Sequence, residues 1–147
     1  MYKDILLAVD HDHEDSWRKA LPVALEYCKA FGARLHLLTV VQDLGVGNVS
    51  SFLPMDFEKK AVERVSNWLK EMAGNNVPEG VQTQRLVAVG KIYAEILAAA
   101  RKVDADLIVM ASHNPEFGDF LIGSNAAKVA RHADRSVLIV RTPKAGQ

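Results

Sequence analysis

The 147-residue chain is 49% apolar and 24% charged, with 18 Lys and Arg against 18 Asp and Glu. That length suits one domain with its own core, and the composition is neither disordered nor fibrous. Zero net charge leaves no long-range field to draw in nucleic acid or an anionic membrane, and it favours self-association over colloidal repulsion.

Met1-Tyr2-Lys3-Asp4 leads directly into a first apolar run, Ile5 to Val9. Without a basic start, an apolar h-region or a cleavage site, no signal peptide is expected. The longest apolar runs are strand-sized, so a soluble cytoplasmic protein without a membrane partner is expected. Ser16 to Phe31 is amphipathic and predicts a helix stopped by Gly32, with Pro22 bending it or marking its first firm turn. The single cysteine, Cys28, lies in that pattern and reads as a small core residue in a reducing compartment.

Leu35 to Val41 is the second strand, and Asp56 to Ala73 a second helix. The helix spaces Phe57, Ala61, Val65, Leu69 and Met72 along one face. The long connection from Gln42 to Met55 reads equally as a lid, an interaction surface or a loose insertion. Thr83 to Val89 is mixed enough for an edge strand, followed by a helix from Ile92 to Val103. Leu107 to Ala111 and Val137 to Val140 are further buried strands, separated by a helix from Ser124 to Ala133. Residues 142–147 are expected to form a disordered tail after a domain spanning 1–141. Alternating strands and helices predict an α/β fold, a single doubly wound five-stranded parallel sheet with helices on both faces.

Such sheets bind ligands at the carboxyl ends of their strands, where strand order reverses. The first strand ends in Asp10 and continues His11-Asp12-His13-Glu14-Asp15. An acidic end without a glycine fingerprint repels bare phosphate but suits hydroxyl or amino donors such as ribose or adenine. The cluster could be read as a metal site, but alternating loop residues rarely converge without a second arm, and none is evident. The simpler reading is a solvated helix N-terminus with Asp15 as N-cap. No metal site is therefore assigned.

The fourth strand ends Met110-Ala111-Ser112-His113-Asn114, and Gly123-Ser124-Asn125 opens the next helix. A glycine, a hydroxyl and free helix N–H groups can cradle an anion, although Gly-Ser before a helix is as often an ordinary cap. The segment from Ser112 to Ser124 is the expected ligand seat.

At these residues the chain resembles the universal stress proteins, over nearly its whole length. The widespread nucleotide-binding pattern of that family is Gly-x2-Gly-x9-Gly-Ser/Thr after the fourth strand. Here Ala111 and Asn114 stand at the leading glycines, and eight residues precede Gly123. Ala-Ser-His-Asn-Pro with Leu-Ile-Gly-Ser-Asn-Ala-Ala is similar to an ATP-binding, enterobacterial-type subgroup that carries this variant loop. The family's Gly-x-Pro appears as Gly90-Lys91-Ile92, without its proline.

The resemblance implies a Rossmann-like fold of the adenine nucleotide alpha hydrolase-like kind. It implies that Ala8, Val9 and Asp10 border adenosine, with Val40 or Val41 at the adenine. Met110, Ala111, His113 and Asn114 would line ribose and the first phosphates, with Gly123, Ser124 and Asn125 at the distal ones. The implied ligand is ATP, or ADP or AMP, with Mg²⁺ carried by its phosphates. The implied assembly is a homodimer through the last strand, or a higher oligomer.

Catalytic patterns are scarce. There is no Walker lysine, nucleophile elbow or recognisable Cys-His or Ser-His spacing. His113 is read as a phosphate or ribose ligand ahead of a general base. A receiver domain would need an aspartate after the third strand, where this chain has Val89-Gly90-Lys91. The leading expectation is a nucleotide-binding stress or signalling protein whose ATP alters conformation or partner choice. The rivals are a dimeric interaction module without nucleotide and a slow ATPase.

Overall fold

The structure is a computed structural model that describes residues 1–42, 57–112 and 124–141. Five strands alternate with four α-helices: β1 (Asp4–Val9), α1 (Ala20–Phe31), β2 (Arg34–Gln42), α2 (Phe57–Asn76), β3 (Thr83–Gly90), α3 (Ile92–Lys102), β4 (Leu107–Ala111), α4 (Ser124–His132) and β5 (Ser136–Val140). All strand pairs are parallel, in the order β3-β2-β1-β4-β5. The sheet is the expected doubly wound α/β arrangement.

Burial follows that order. Ile5, Leu6 and Leu7 of β1 and Ile108 and Val109 of β4 have no exposed surface, because helices cover both faces of the central strands. β3 and β5, at the two edges, are only half-buried along their apolar stretches. Alternation sorts the side chains into two layers. Ile5, Leu7, Val9, Leu37 and Val109 pack with α1 and α2, including Leu21, Ala24 and Leu69. Leu6, Leu38, Ile108 and Met110 pack with α3 and α4 through Ile96, Ala100, Ala126 and Val129.

The first helix differs from the expectation. Instead of starting at Ser16, the chain forms a 3₁₀ turn over Glu14–Ser16, and α1 begins only at Ala20. Pro22 accounts for this. Inside a longer helix its ring would meet the carbonyl of Arg18, whereas in the first turn its missing N–H removes no bond. The other end agrees with the sequence: Gly32 takes φ +65°, and its N–H and that of Ala33 both donate to the Cys28 carbonyl. Cys28 itself is buried, and burial pushes its thiol up to about 11, so it stays protonated and unreactive at neutral pH. The remaining helices agree with expectation to within a few residues at their ends. The Gln42–Met55 connection and the 142–147 tail lie outside the described residues, apart from Gln42 at the end of β2.

A polar network ties three strands together at their amino ends. Buried His36 on β2 lies with Nε2 2.8 Å from Asp4 Oδ1 on β1 and Nδ1 2.6 Å from Gln84 Oε1 on β3. Arg34 donates to both Asp4 oxygens, at 2.9 and 3.1 Å. Burial alone would raise the Asp4 carboxyl, but the His36 and Arg34 hydrogen bonds and charges outweigh it and hold the group below its ordinary value of 3.8. A carboxylate with a depressed native pKa stabilises the fold above its unfolded value and loses that contribution as pH falls through the native one. Asp4→Asn should therefore lower stability at pH 7. It should also flatten the wild-type loss of stability below about pH 4, measured by urea unfolding across pH.

Candidate functional site

The order β3-β2-β1-β4-β5 reverses between β1 and β4. The chain leaves β1 toward α1 on one face, and α4, which follows β4 in sequence, lies on the other, so a crevice opens above their carboxyl ends. Five of the anticipated site residues gather there on three adjacent strands. Ala8, Val40 and Met110 share the α3/α4 face, while Val9 and Ala111 face α1 and α2. Val9 is 5% exposed, so its side chain belongs to the core. Alternation puts Val41 on the same side as Val9.

On the α3/α4 face, the upper rim of the sheet is built from small side chains. Ala8, Val40, Ala88 and Gly90 are all half-exposed, in contrast to the sealed layer below them. Val40 lies opposite Ala88, and Gln42 opposite Gly90. α3 and α4 begin at this carboxyl end of the sheet, where the leading N–H groups of a helix have no intrahelical partner. Asn125, in the first turn of α4, is half-buried. Lys128 stands 4.9 Å from the Tyr93 ring centroid, bringing a cation to the α3/α4 junction. Neither Lys128 nor Tyr93 was singled out from the sequence. Lys91, the residue before α3, is exposed.

The acidic segment after β1 is more ordered than anticipated. Asp10 Oδ1 accepts the Asp12 N–H at 2.9 Å, and Oδ2 pairs with His13 Nδ1 at 2.8 Å. The Ser16 hydroxyl accepts the Asp10 N–H at 2.7 Å and donates to the His13 carbonyl at 2.7 Å. Asp15 is thus not the N-cap: it lies within the 3₁₀ turn, and Ser16 closes the loop. Three consecutive residues, Asp10, His11 and Asp12, bring ligand atoms within 4.8 Å of one another, a set that the sequence reading did not single out. Both Asp10 oxygens are already engaged by the turn, so these contacts shape the loop. His11 meanwhile lies edge-on to Trp68 of α2, with Nδ1 3.4 Å from Thr39 Oγ1.

Ser112 continues the β4–β5 ladder, donating its N–H to the Val140 carbonyl at 2.8 Å. Ser124 opens α4. His113, Asn114 and Gly123 lie outside the described residues.

The family model for the universal stress proteins matches residues 1–141. The chain belongs to the universal stress protein family. It is 29% identical over 143 residues to universal stress protein G of Escherichia coli O157:H7, covering 96% of this chain and all of that one. A Staphylococcus aureus (strain USA300) protein named for the same family is 31% identical over 145 residues, covering 96% of this chain and 85% of its own. Among solved structures, hypothetical protein MJ0577 superposes with a TM-score of 0.75 at 25% identity, covering 99% of both chains. A universal stress protein solved in complex with cAMP shares the fold, with a TM-score of 0.71 at 22% identity and 95% and 97% coverage.

In this universal stress protein, Gly90 closes β3 with φ +147°, a conformation nearly reserved for glycine. A Cβ there would lie 2.6 Å from Glu95 Oε1. Gly90→Ala should therefore destabilise the protein by about 1–3 kcal/mol and displace the Glu95 side chain. Chemical denaturation and a crystal structure of the variant measure the two effects.

Proposed function

We propose that this universal stress protein binds an adenine nucleotide across the carboxyl ends of β2, β1 and β4, and that occupancy alters its conformation or choice of partner in a stress or signalling response. The observation that carries the reading is the rim of small, half-exposed side chains Ala8, Val40 and Ala88 on the α3/α4 face, set against the sealed core beneath. It offers a flat apolar bed for a base between a carboxylate, Asp10, and two helix N-termini. Asp10 keeps lone pairs for ribose hydroxyls beyond those its own turn uses. Relatives of the same fold support the ligand class: one was solved with cAMP, and one from Archaeoglobus fulgidus with dAMP.

In this reading Ala8, Val9 and Asp10 border adenosine, with Val40 or Val41 at the base. Met110, Ala111, His113 and Asn114 line ribose and the inner phosphates, and Gly123, Ser124 and Asn125 take the outer ones. ATP brings Mg²⁺ on its phosphates. The protein works in the cytoplasm, in keeping with its buried, unreactive Cys28 and the absence among the described residues of any helix able to cross a membrane. It pairs with a second copy through β5. That strand is an edge of the sheet, and Val137, Leu138, Ile139 and Val140 are half-buried on both faces.

Chromatography of the supernatant from freshly denatured protein should reveal adenine nucleotide. Adding ATP–Mg at a hundredfold excess over Kd should raise Tm by about 5–10 °C. An empty supernatant with no thermal shift would leave a dimeric module without nucleotide as the surviving reading. Gly123→Val should abolish nucleotide retention while leaving the circular dichroism spectrum unchanged; retention at the wild-type level means that another loop holds the phosphates. ATP turnover above background that disappears in His113→Ala would make the protein a slow ATPase.

A further inference from the structure

Glu95 occupies an unusual place at the upper rim. It lies in the first turn of α3, where the helix dipole favours an acid. That preference is met equally well by a side chain extended into water. Glu95 instead folds over the end of β3, its Oε1 sitting 2.6 Å from the point where any other residue at position 90 would carry its Cβ. The space exists only because position 90 is glycine, with φ +147°. The residue is half-buried, and among the described residues its carboxylate has no hydrogen-bond or ion-pair partner. Its oxygens keep contact with solvent, so their lone pairs are open to a ligand donor.

Register says what lies within its reach. Gly90 is opposite Gln42, and Ala88 is opposite Val40. Gly90, Ala88 and Val40 share one face, so the carboxylate stands over the outer end of the same apolar bed. Strand spacing of about 4.8 Å and a rise of about 3.3 Å per residue put Gly90 roughly 8 Å from Val40. A purine lying on Val40 with its six-membered ring outward spans most of that gap.

We infer that Glu95 is a further binding residue of this site: it accepts a hydrogen bond from the exocyclic amino group of adenine and selects amino purines over 6-oxo purines. This rests on the adenine-nucleotide reading. A carboxylate is an acceptor only, so it attracts an amino group and repels a carbonyl oxygen at the same ring position. Asp10, one strand beyond Val40, is left to the ribose, and the two acids flank the nucleoside from opposite ends.

The test is titration calorimetry of the full chain with ATP and with ITP, which carries an oxygen at C6 and a proton on N1. The wild type should favour ATP by roughly 10- to 150-fold, the span of a hydrogen bond to a charged group. Glu95→Ala should bring the two nucleotides near parity, chiefly by weakening ATP. Glu95→Gln, whose amide can turn its NH2 toward a carbonyl, should strengthen ITP over the wild type. An unchanged ATP-to-ITP ratio in both variants overturns the inference while leaving the nucleotide reading intact. Equal weakening of both nucleotides, together with a lower Tm of the free protein, also overturns it by making Glu95 a support for the β3 end. Failure of the wild type to bind either nucleotide overturns the underlying reading instead.

Discussion

Everything in this molecule is organised around β1, the strand at which the sheet reverses its winding. Its residues Ile5, Leu6 and Leu7 have no exposed surface, and it is hydrogen-bonded on both sides, to β2 and to β4. Covering a strand on both faces requires helices on both faces, and parallel neighbours require each connection to cross the sheet. Those two demands create the crevice: when helices depart to opposite sides from adjacent strands, the strand ends between them cannot be roofed over. A pocket at this position is thus a by-product of sealing the core. What the family's members do with it depends on the side chains that line it.

The strands were the most legible part of the chain. Doubly buried strands read as unbroken apolar runs, and Leu107 to Ala111 appears in the structure with the same limits. Thr83 to Val89, with its polar interruptions, reads correctly as an edge. Helix ends were legible where one residue decides the geometry alone, as Gly32 does. The start of α1 was not, because amphipathic spacing upstream of Pro22 outweighed the steric limit that the proline imposes. Ser16 was overlooked in favour of Asp15 for a related reason. Both are good capping residues, and only the path of the turn decides which one faces the backbone donors.

The resemblance pointed to Ala8, Val40 and Met110, which the fold brings together on one face, but not to the side chains that surround them. Glu95 over Gly90 depends on a backbone angle that no spacing rule encodes. Lys128 over Tyr93 depends on two helices that meet only after the sheet has formed. The pairing of His36 with Asp4 and Gln84 joins residues 32 and 48 positions apart, and each looks unremarkable in its own segment. Long-range polar pairs of this kind carry no periodic signature.

That pairing gives the sheet two unlike poles. At the amino ends of β1, β2 and β3, charged and neutral side chains cross-link the strands beneath a dry interior. At the carboxyl ends the same strands carry the small residues Ala8, Val40, Ala88 and Gly90, and Asp10 and Ser16 together gather the chain after β1. The register of the three strands is therefore pinned at the pole opposite the crevice. Side chains at the crevice can therefore change without unpinning the strands that frame it.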